Sequence, residues 1–541
     1  MKRRELIKNL SFVPLAGVTG SGFPSLLAAN HSMKMPLEKY AKEKGRESIY
    51  ESLGVRPVIN GRGTITIIGG CRMLPEVEQA MREATSEYVE IDELMDAVGQ
   101  RIGQFTGAES AIVTTGATGA LIMATTGILT GGNPDRLWQL PDLSGMKNEV
   151  IIPKYSWTAY ESAIRGTGVK MVTVESRAQL ESALGPQTAM ILVLAGSNSM
   201  NGPLSTKEIS SVVKPIGVPI LVDAAAEGLP LPNPHISHGA DLVAYSGGKY
   251  LGGPQCAGLL IGRKNLIKAA WVTSSPHHGY GRGYKVGREE ILGMLAAVEM
   301  WRKRDHDKEI KIWTGRLNYI ANRLRSIQGV TTEVHQPPPE QLSNPSPSLR
   351  VKWDTSIIAL TGYGVEHILW DSNPRVAVSG MGSFLPFPPN LNPNIEINSS
   401  QLNDGEEKII ADRVFEVLSH PPVIPKLSGK PSFNIDGEWD LEMKFAAGID
   451  HQKFVFKQNN NELKGTHFAS YGDRELSGTL YGKSIFIQSS YTLNGSRLNF
   501  SFSGNVNDNG NMGGRVSLSE YGTADWKATR HVYSPMDSYH G

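Results

Sequence analysis

The chain has 541 residues, which at roughly 150 residues per domain leaves room for three or four domains and excludes a peptide hormone, a small stapled scaffold or a single binding module. Lys plus Arg number 54 and Asp plus Glu 53, a formal charge of +1, and no half of the chain carries a basic run that could track a phosphate backbone, so no nucleic-acid partner is expected. Cys71 and Cys256 are the only cysteines, too few for a Cys-rich zinc site or a disulfide framework.

Residues 1–30 read as a targeting signal peptide. Lys2, Arg3, Arg4 and Lys8 form a positive start, and the apolar stretch after Leu10 is broken by Pro14, Gly17, Gly20, Gly22 and Pro24 before the small residues Ala28 and Ala29. Arg3-Arg4 followed by Leu6, Ile7 and Lys8 is similar to a twin-arginine signal, whose route exports folded proteins; a frayed basic N-terminus is the competing reading. No stretch supplies about 18 uninterrupted apolar residues, so no stable membrane span is expected. The expected location is the periplasm of a bacterium, or otherwise outside its cytoplasm.

From residue 51 to 264, short β-branched runs alternate with segments of helical spacing. Strands are expected at 111–114, 150–152, 170–174, 189–194, 219–222, 242–245 and 258–261, each nearly continuous in Val, Ile, Leu and Ala, as for strands covered on both faces. Helices are expected at 75–88, 117–129, 157–165 and 206–213. This alternation predicts an α/β fold, a mostly parallel sheet of seven strands with helices on both faces, and places ligands beyond the carboxyl ends of the strands. One or two long helices follow over 289–327, then a Pro-rich break at Pro337, Pro338, Pro339, Pro345 and Pro347. A smaller α+β segment comes next, with strands at 355–360 and 376–379 and a helix at 405–418. Beyond a second Pro-rich linker the pattern switches to strict alternation, with turn signals every ten or so residues. About eight short strands there predict a closed antiparallel β-barrel. The domain expectation is therefore a signal at 1–30, a large domain with its N-terminal segment at 31–315, a small α+β domain at 316–420, a linker at 421–434 and an accessory barrel at 435–532.

The chemistry concentrates in three places. Lys249 follows the strand ending near Ser246 and is wrapped by Gly247, Gly248, Gly252 and Gly253; burying its amine would depress its pKa, as a Schiff-base lysine requires, whereas a solvent-facing loop lysine is the plain alternative. Asp223 ends another buried strand, as a helix N-cap or as a functional carboxylate. Thr114-Thr115-Gly116-Ala117-Thr118-Gly119 joins a strand to a helix and reads either as a phosphate cup or as a simple capped helix start. Pyridoxal 5'-phosphate (PLP) chemistry gives Lys249 and Asp223 a joint reason: the lysine binds the cofactor aldehyde and the carboxylate keeps the ring nitrogen protonated. Arg62, Arg282 and Arg288 are candidates for an anionic small-molecule substrate, surface ion pairs being the bland alternative. His277-His278 has no third ligand at metal spacing, and no metal is expected.

With Val222-Asp223-Ala-Ala-Ala-Glu227, Ser246-Gly247-Gly248-Lys249, Gly252-Gly253-Pro254-Gln255 and the later Lys285-Val286-Gly287-Arg288-Glu289-Glu290 in this order, the chain resembles the fold-type I PLP enzymes related to bacterial selenocysteine synthase (seryl-tRNA selenium transferase), and more closely those of the D-glucosaminate-6-phosphate ammonia-lyase type. The resemblance spans about residues 51–418. It implies an internal aldimine at Lys249, a ring-nitrogen partner at Asp223, phosphate contacts from Thr115, Gly116, Ala117 and Ser246, and an active site completed by a second subunit in a homodimer or larger homo-oligomer. Where lyase-type relatives carry an Arg-Gly-His run, this chain has Lys154-Tyr155-Ser156-Trp157, leaving Tyr155 or Trp157 to stack on the ring. The expected activity is elimination or deamination of an amino acid or amino sugar acid. An aminotransferase, or a catalytically idle PLP-fold scaffold with a ligand-binding barrel, are the alternatives.

Overall fold

The computed structural model describes residues 48–338, 341–380, 392–423, 429–493 and 495–533. The expected signal at 1–30 lies outside them. Two compact units divide the chain, one over 36–422 and one that includes everything from Val423 onward.

The first unit is built on a seven-stranded sheet: β1 (Ser110–Thr115), β2 (Glu149–Pro153), β3 (Lys170–Val174), β4 (Thr188–Leu194), β5 (Ile220–Asp223), β6 (Leu242–Ser246) and β7 (Ala257–Gly262). Their order across the sheet is β1-β7-β6-β5-β4-β2-β3. All seven coincide with the apolar runs of the sequence, and β5 and β7 are buried at every position. Strands β2 to β6 are parallel, and β7 runs antiparallel to both neighbours. Because β7 is reversed against both β1 and β6, those two point the same way. The ends of β1, β5 and β6 and the beginning of β7 therefore share one edge.

The helix that leaves β1, α1 (Gly116–Thr130), is buried almost all round, as expected of a helix without a polar face. Gly127 allows it to lie against the helix Lys264–Trp271: a Cβ there would stand 2.6 Å from the Ala270 backbone nitrogen. The helix expected at 157–165 is shorter, a 3-10 turn at Lys154–Ser156 followed by Glu161–Arg165. Trp157 between them is extended, and the Thr158 hydroxyl accepts the Tyr160 N–H that a longer helix would have used.

The two long helices are Arg288–Lys303 and His306–Leu324, and the second continues without a break across residue 315. An antiparallel sheet of Ser379–Gly380, Asn394–Asn398, Ser348–Trp353 and Val330–His335 follows, with the helices Gly362–Asp371 and Glu406–Ser419. The strand expected at 355–360 is instead a turn. Asp354 accepts hydrogen bonds from the Ser356 N–H and hydroxyl at 2.8 and 2.7 Å, and the strand of this region is Ser348–Trp353. The early strand Val58–Asn60 pairs in parallel with Arg375–Ala377 as a separate two-stranded sheet, which ties the N-terminal segment to the small α+β region.

The second unit is a closed barrel of eight antiparallel strands, each paired with its chain neighbours, with Gly437–Lys444 pairing back on Thr523–Arg530. Phe454, Phe456, Phe502, Trp439 and Trp526 fill its core. Closure removes the exposed edges that so short a set of strands would otherwise present.

Candidate active site

The shared edge of the sheet gathers residues far apart in sequence. Thr115 ends β1, Asp223 ends β5, Ser246 ends β6, and Lys249 follows in a turn at 247–250. Gly258, near the start of β7, pairs with Thr114 on one side and Ser246 on the other. It has no room for a side chain, since a Cβ would lie 2.2 Å from the Gly116 carbonyl carbon. Gly116, at φ +66°, turns the backbone out of β1 into α1. No side chain caps the first turn of this helix, and the Thr115 Oγ1 is buried without a hydrogen-bond partner. Unfilled N–H groups at the head of a helix, together with an orphaned hydroxyl, make a cup for an anion such as a phosphate.

Asp223 is 7% exposed and accepts the Ala225 N–H at 3.0 Å on Oδ1. Burial pushes its pKa up, while the Ala225 N–H and the Lys249 ammonium pull it down and Glu227 adds to the rise. Half-buried Lys249 is pushed the other way by the same desolvation, against the attraction of Asp223. Both groups are thus driven toward their neutral forms. The neutral amine, which this desolvation favours, is the nucleophilic and basic form of a lysine, and a protonated ring nitrogen beside Asp223 would favour the carboxylate.

Residues 76–279 match the family described as Cys/Met metabolism PLP-dependent enzymes. D-glucosaminate-6-phosphate ammonia lyase of Salmonella typhimurium is 32% identical over 333 residues, 59% of this chain and 86% of the relative. The chain belongs to this PLP-dependent family. A 5'-C-glycyluridine monooxygenase-decarboxylase of a Streptomyces species is 30% identical over 299 residues, 53% of this chain and 73% of its own. An L-seryl-tRNA(Sec) selenium transferase of Moorella thermoacetica is 26% identical over 300 residues, 50% of this chain and 59% of its own. A solved structure of D-glucosaminate-6-phosphate ammonia-lyase superposes with a TM-score of 0.60 at 29% identity, covering 69% of this chain and 99% of that one.

The residues of this PLP enzyme fit the cofactor: the orphaned Thr115 hydroxyl and the uncapped α1 suit its phosphate, Asp223 its ring nitrogen and Lys249 its aldehyde. Trp157 stands further out. Its Nε1 donates to Thr173 Oγ1 at 3.0 Å, on the edge strand β3, roughly 14 Å from β5 at the usual strand spacing. Tyr155 is turned toward the loop after β4, donating to the Leu204 carbonyl at 2.7 Å, and burial pushes its phenol pKa up.

The three candidate arginines do not share a partner. Arg62 pairs through Nη1 with Glu366 at 3.2 Å and keeps a buried, unpartnered Nε. Exposed Arg282 donates to the Ser275 hydroxyl. Arg288 donates from Nε to the Ala84 carbonyl at 2.7 Å and stacks 5.1 Å from the Tyr88 ring. That commits Arg288 to closing the helix Pro75–Ala84 and withdraws it from the substrate candidates. Glu227 pairs locally, with Oε2 2.7 Å from His235 Nε2 and both side chains fully buried. Among the described residues no cluster of metal-ligating side chains occurs, and no helix is long and apolar enough to cross a membrane.

Sequence reasoning missed a strap. Residues 341–346, part of the apparent Pro-rich break, run along the carboxyl edge of the sheet. The Ser343 hydroxyl reaches the Ala195 carbonyl beyond β4 at 3.3 Å, and the Asn344 N–H reaches the Ala226 carbonyl beyond β5 at 2.8 Å. Ser346 Oγ lies 2.8 Å from the Tyr250 hydroxyl, beside Lys249, and accepts from Asn398 at 2.6 Å. Arg304 holds the same turn by donating to the Tyr250 carbonyl at 2.9 Å. Ser343, Asn344 and Ser346 between prolines are the one sequence signal that could have suggested a bonded segment.

Proposed function

We propose that this PLP enzyme is an exported lyase that releases ammonia from an amino acid or amino sugar acid bearing at least one carboxylate. The reading rests on buried Asp223 and half-buried Lys249 at one edge with the Thr115–Gly116 cup, and the likeness to an ammonia-lyase supports it. Bound PLP supplies an electron sink for bond breaking next to the substrate nitrogen. Lys249 Nζ, whose pKa desolvation lowers, takes the Cα proton as general base. Asp223, oriented by the Ala225 N–H, holds the proton on the ring nitrogen. Thr115, the Gly116 and Ala117 N–H groups and the Ser246 hydroxyl anchor the phosphate end. Arg62 offers its free Nε to a substrate carboxylate; its loop reaches the Lys249 turn through Asn398, which donates to the Gly61 carbonyl at 2.8 Å and to Ser346.

The protein works as a homodimer or larger homo-oligomer, and residues 1–30 direct it out of the cytoplasm through the twin-arginine route, loaded with a cofactor made inside. The deciding experiment presents the holoenzyme with D- and L-amino acids and 2-amino sugar acids and follows ammonia and keto acid. Release with no amino acceptor supports the lyase. A strict need for a keto-acid acceptor replaces it with an aminotransferase, and failure of every anionic substrate while cationic amines react removes the role of Arg62.

A further inference from the structure

One end of the barrel has a polar lining that the catalytic reading does not use. Asp450, Gln452, His467, Arg474, Ser489 and Tyr491 occupy the inward positions of successive strands there. Most of them satisfy one another. His467 lies between Gln452 Oε1, 2.5 Å from its Nε2, and the Ser489 hydroxyl, 2.8 Å from its Nδ1. Gln452 donates in turn to Asp450 Oδ2 at 2.6 Å, and the Ser470 hydroxyl donates to the same oxygen. With Gln452 Oε1 accepting, His467 carries a proton on Nε2, and Asp450, the one inward carboxylate among the described barrel residues, accepts both of these hydrogen bonds on Oδ2.

Arg474 is left out of this chain. It sits opposite His467 in register and is 6% exposed, with its guanidinium 4.3 Å over the Phe500 ring. Its Nε and Nη1 are buried with no hydrogen-bond partner, and its strand neighbours Asp473 and Glu475 face outward and are exposed. A guanidinium cannot shed its proton, so burial without a partner is costly unless something else supplies the counter-charge. An eight-stranded barrel is just wide enough either to be filled by side chains, as the aromatic core fills part of this one, or to hold one small ligand.

We propose that the Arg474 end of the barrel binds a small oxyanion, a carboxylate or phosphoryl group on a compact apolar body, with Arg474 as its charge partner and Phe500 and Tyr491 as its walls. This site is built from residues of the barrel unit alone and stands whether or not the lyase reading does.

The test is calorimetric titration of the full-length holoenzyme, loaded with PLP and dialysed free of excess cofactor, using sodium benzoate and inorganic phosphate as probes. Wild type should bind at least one of them saturably, and R474M should bind it about tenfold more weakly or worse, the worth of one charge-assisted pair. Tighter benzoate binding assigns a carboxylate ligand, and tighter phosphate binding a phosphoryl one. Turnover should be equal in both proteins. R474K, which keeps the charge and loses the planar fork, carries the comparison if near-ultraviolet dichroism shows the R474M barrel misfolded, and it too should weaken binding. Absence of saturable binding of both probes by wild type overturns the site, as does equal affinity in the folded variants.

Discussion

Replacing Thr115 by Val tests the phosphate cup with opposite signs in two states. Valine keeps the β-branched shape and removes only the hydroxyl, whose oxygen is buried without a hydrogen-bond partner. An unsatisfied buried hydroxyl costs about 1–3 kcal/mol, so cofactor-free T115V should unfold at the same temperature as wild type or a little higher. With PLP the hydroxyl gains a charged acceptor, and a hydrogen bond to a charged group is worth about 1.5–3 kcal/mol, so the variant should bind PLP roughly 10- to 150-fold more weakly. The assay pairs melting curves of the cofactor-free proteins with a PLP titration followed by visible absorbance. A cofactor-free T115V clearly less stable than wild type would mean that the hydroxyl already had a partner. Unchanged PLP affinity would place the phosphate elsewhere.

Three further outcomes are expected. Lys249→Ala should lose all covalent cofactor after borohydride reduction, while Asp223→Asn keeps cofactor but loses most turnover, because an amide cannot hold the ring-nitrogen proton; near-normal turnover of D223N would take Asp223 out of that role. In the barrel, burial and nearby Arg474 lower the His467 pKa to about 3, so the neutral imidazole is the folded form. Its stabilisation is complete above the ordinary value near 6.5 and drains away as pH falls toward about 3, at up to about 1.4 kcal/mol per pH unit; H467Q should flatten that slope in acid unfolding, read by fluorescence, of the chain from Val423 onward, whose tryptophans are Trp439 and Trp526. A chain ending at Pro422, where the two compact units divide, should keep cofactor absorbance and turnover, and loss of either would make the barrel part of the site.

The seven sheet strands and the barrel could be read directly from the sequence because their signals are local: strands covered on both faces are continuous in apolar residues, and barrel strands alternate. Lys249, Asp223 and the Thr115–Gly116 turn were legible for a similar reason, each being an unusual residue at the end of a buried strand. That they meet was decided by the strand order, and above all by the reversal of β7, which brings Gly258 against Gly116. The strap at 341–346 looked like a linker because its partners, Ala195, Ala226 and Tyr250, lie 96 to 148 residues away in the chain. Arg288 looked available until the carbonyls of Ala84 and Thr85 were found at its guanidinium. Arg474 is the clearest division of the two kinds of information. Alternation alone marks it as inward-facing, but only the closed barrel shows that Asp450, the one inward carboxylate among the described barrel residues, is held by Gln452 and Ser470 while Arg474 Nε and Nη1 have no partner, because hydrogen-bond partners are settled by register and closure rather than by residues nearby in sequence.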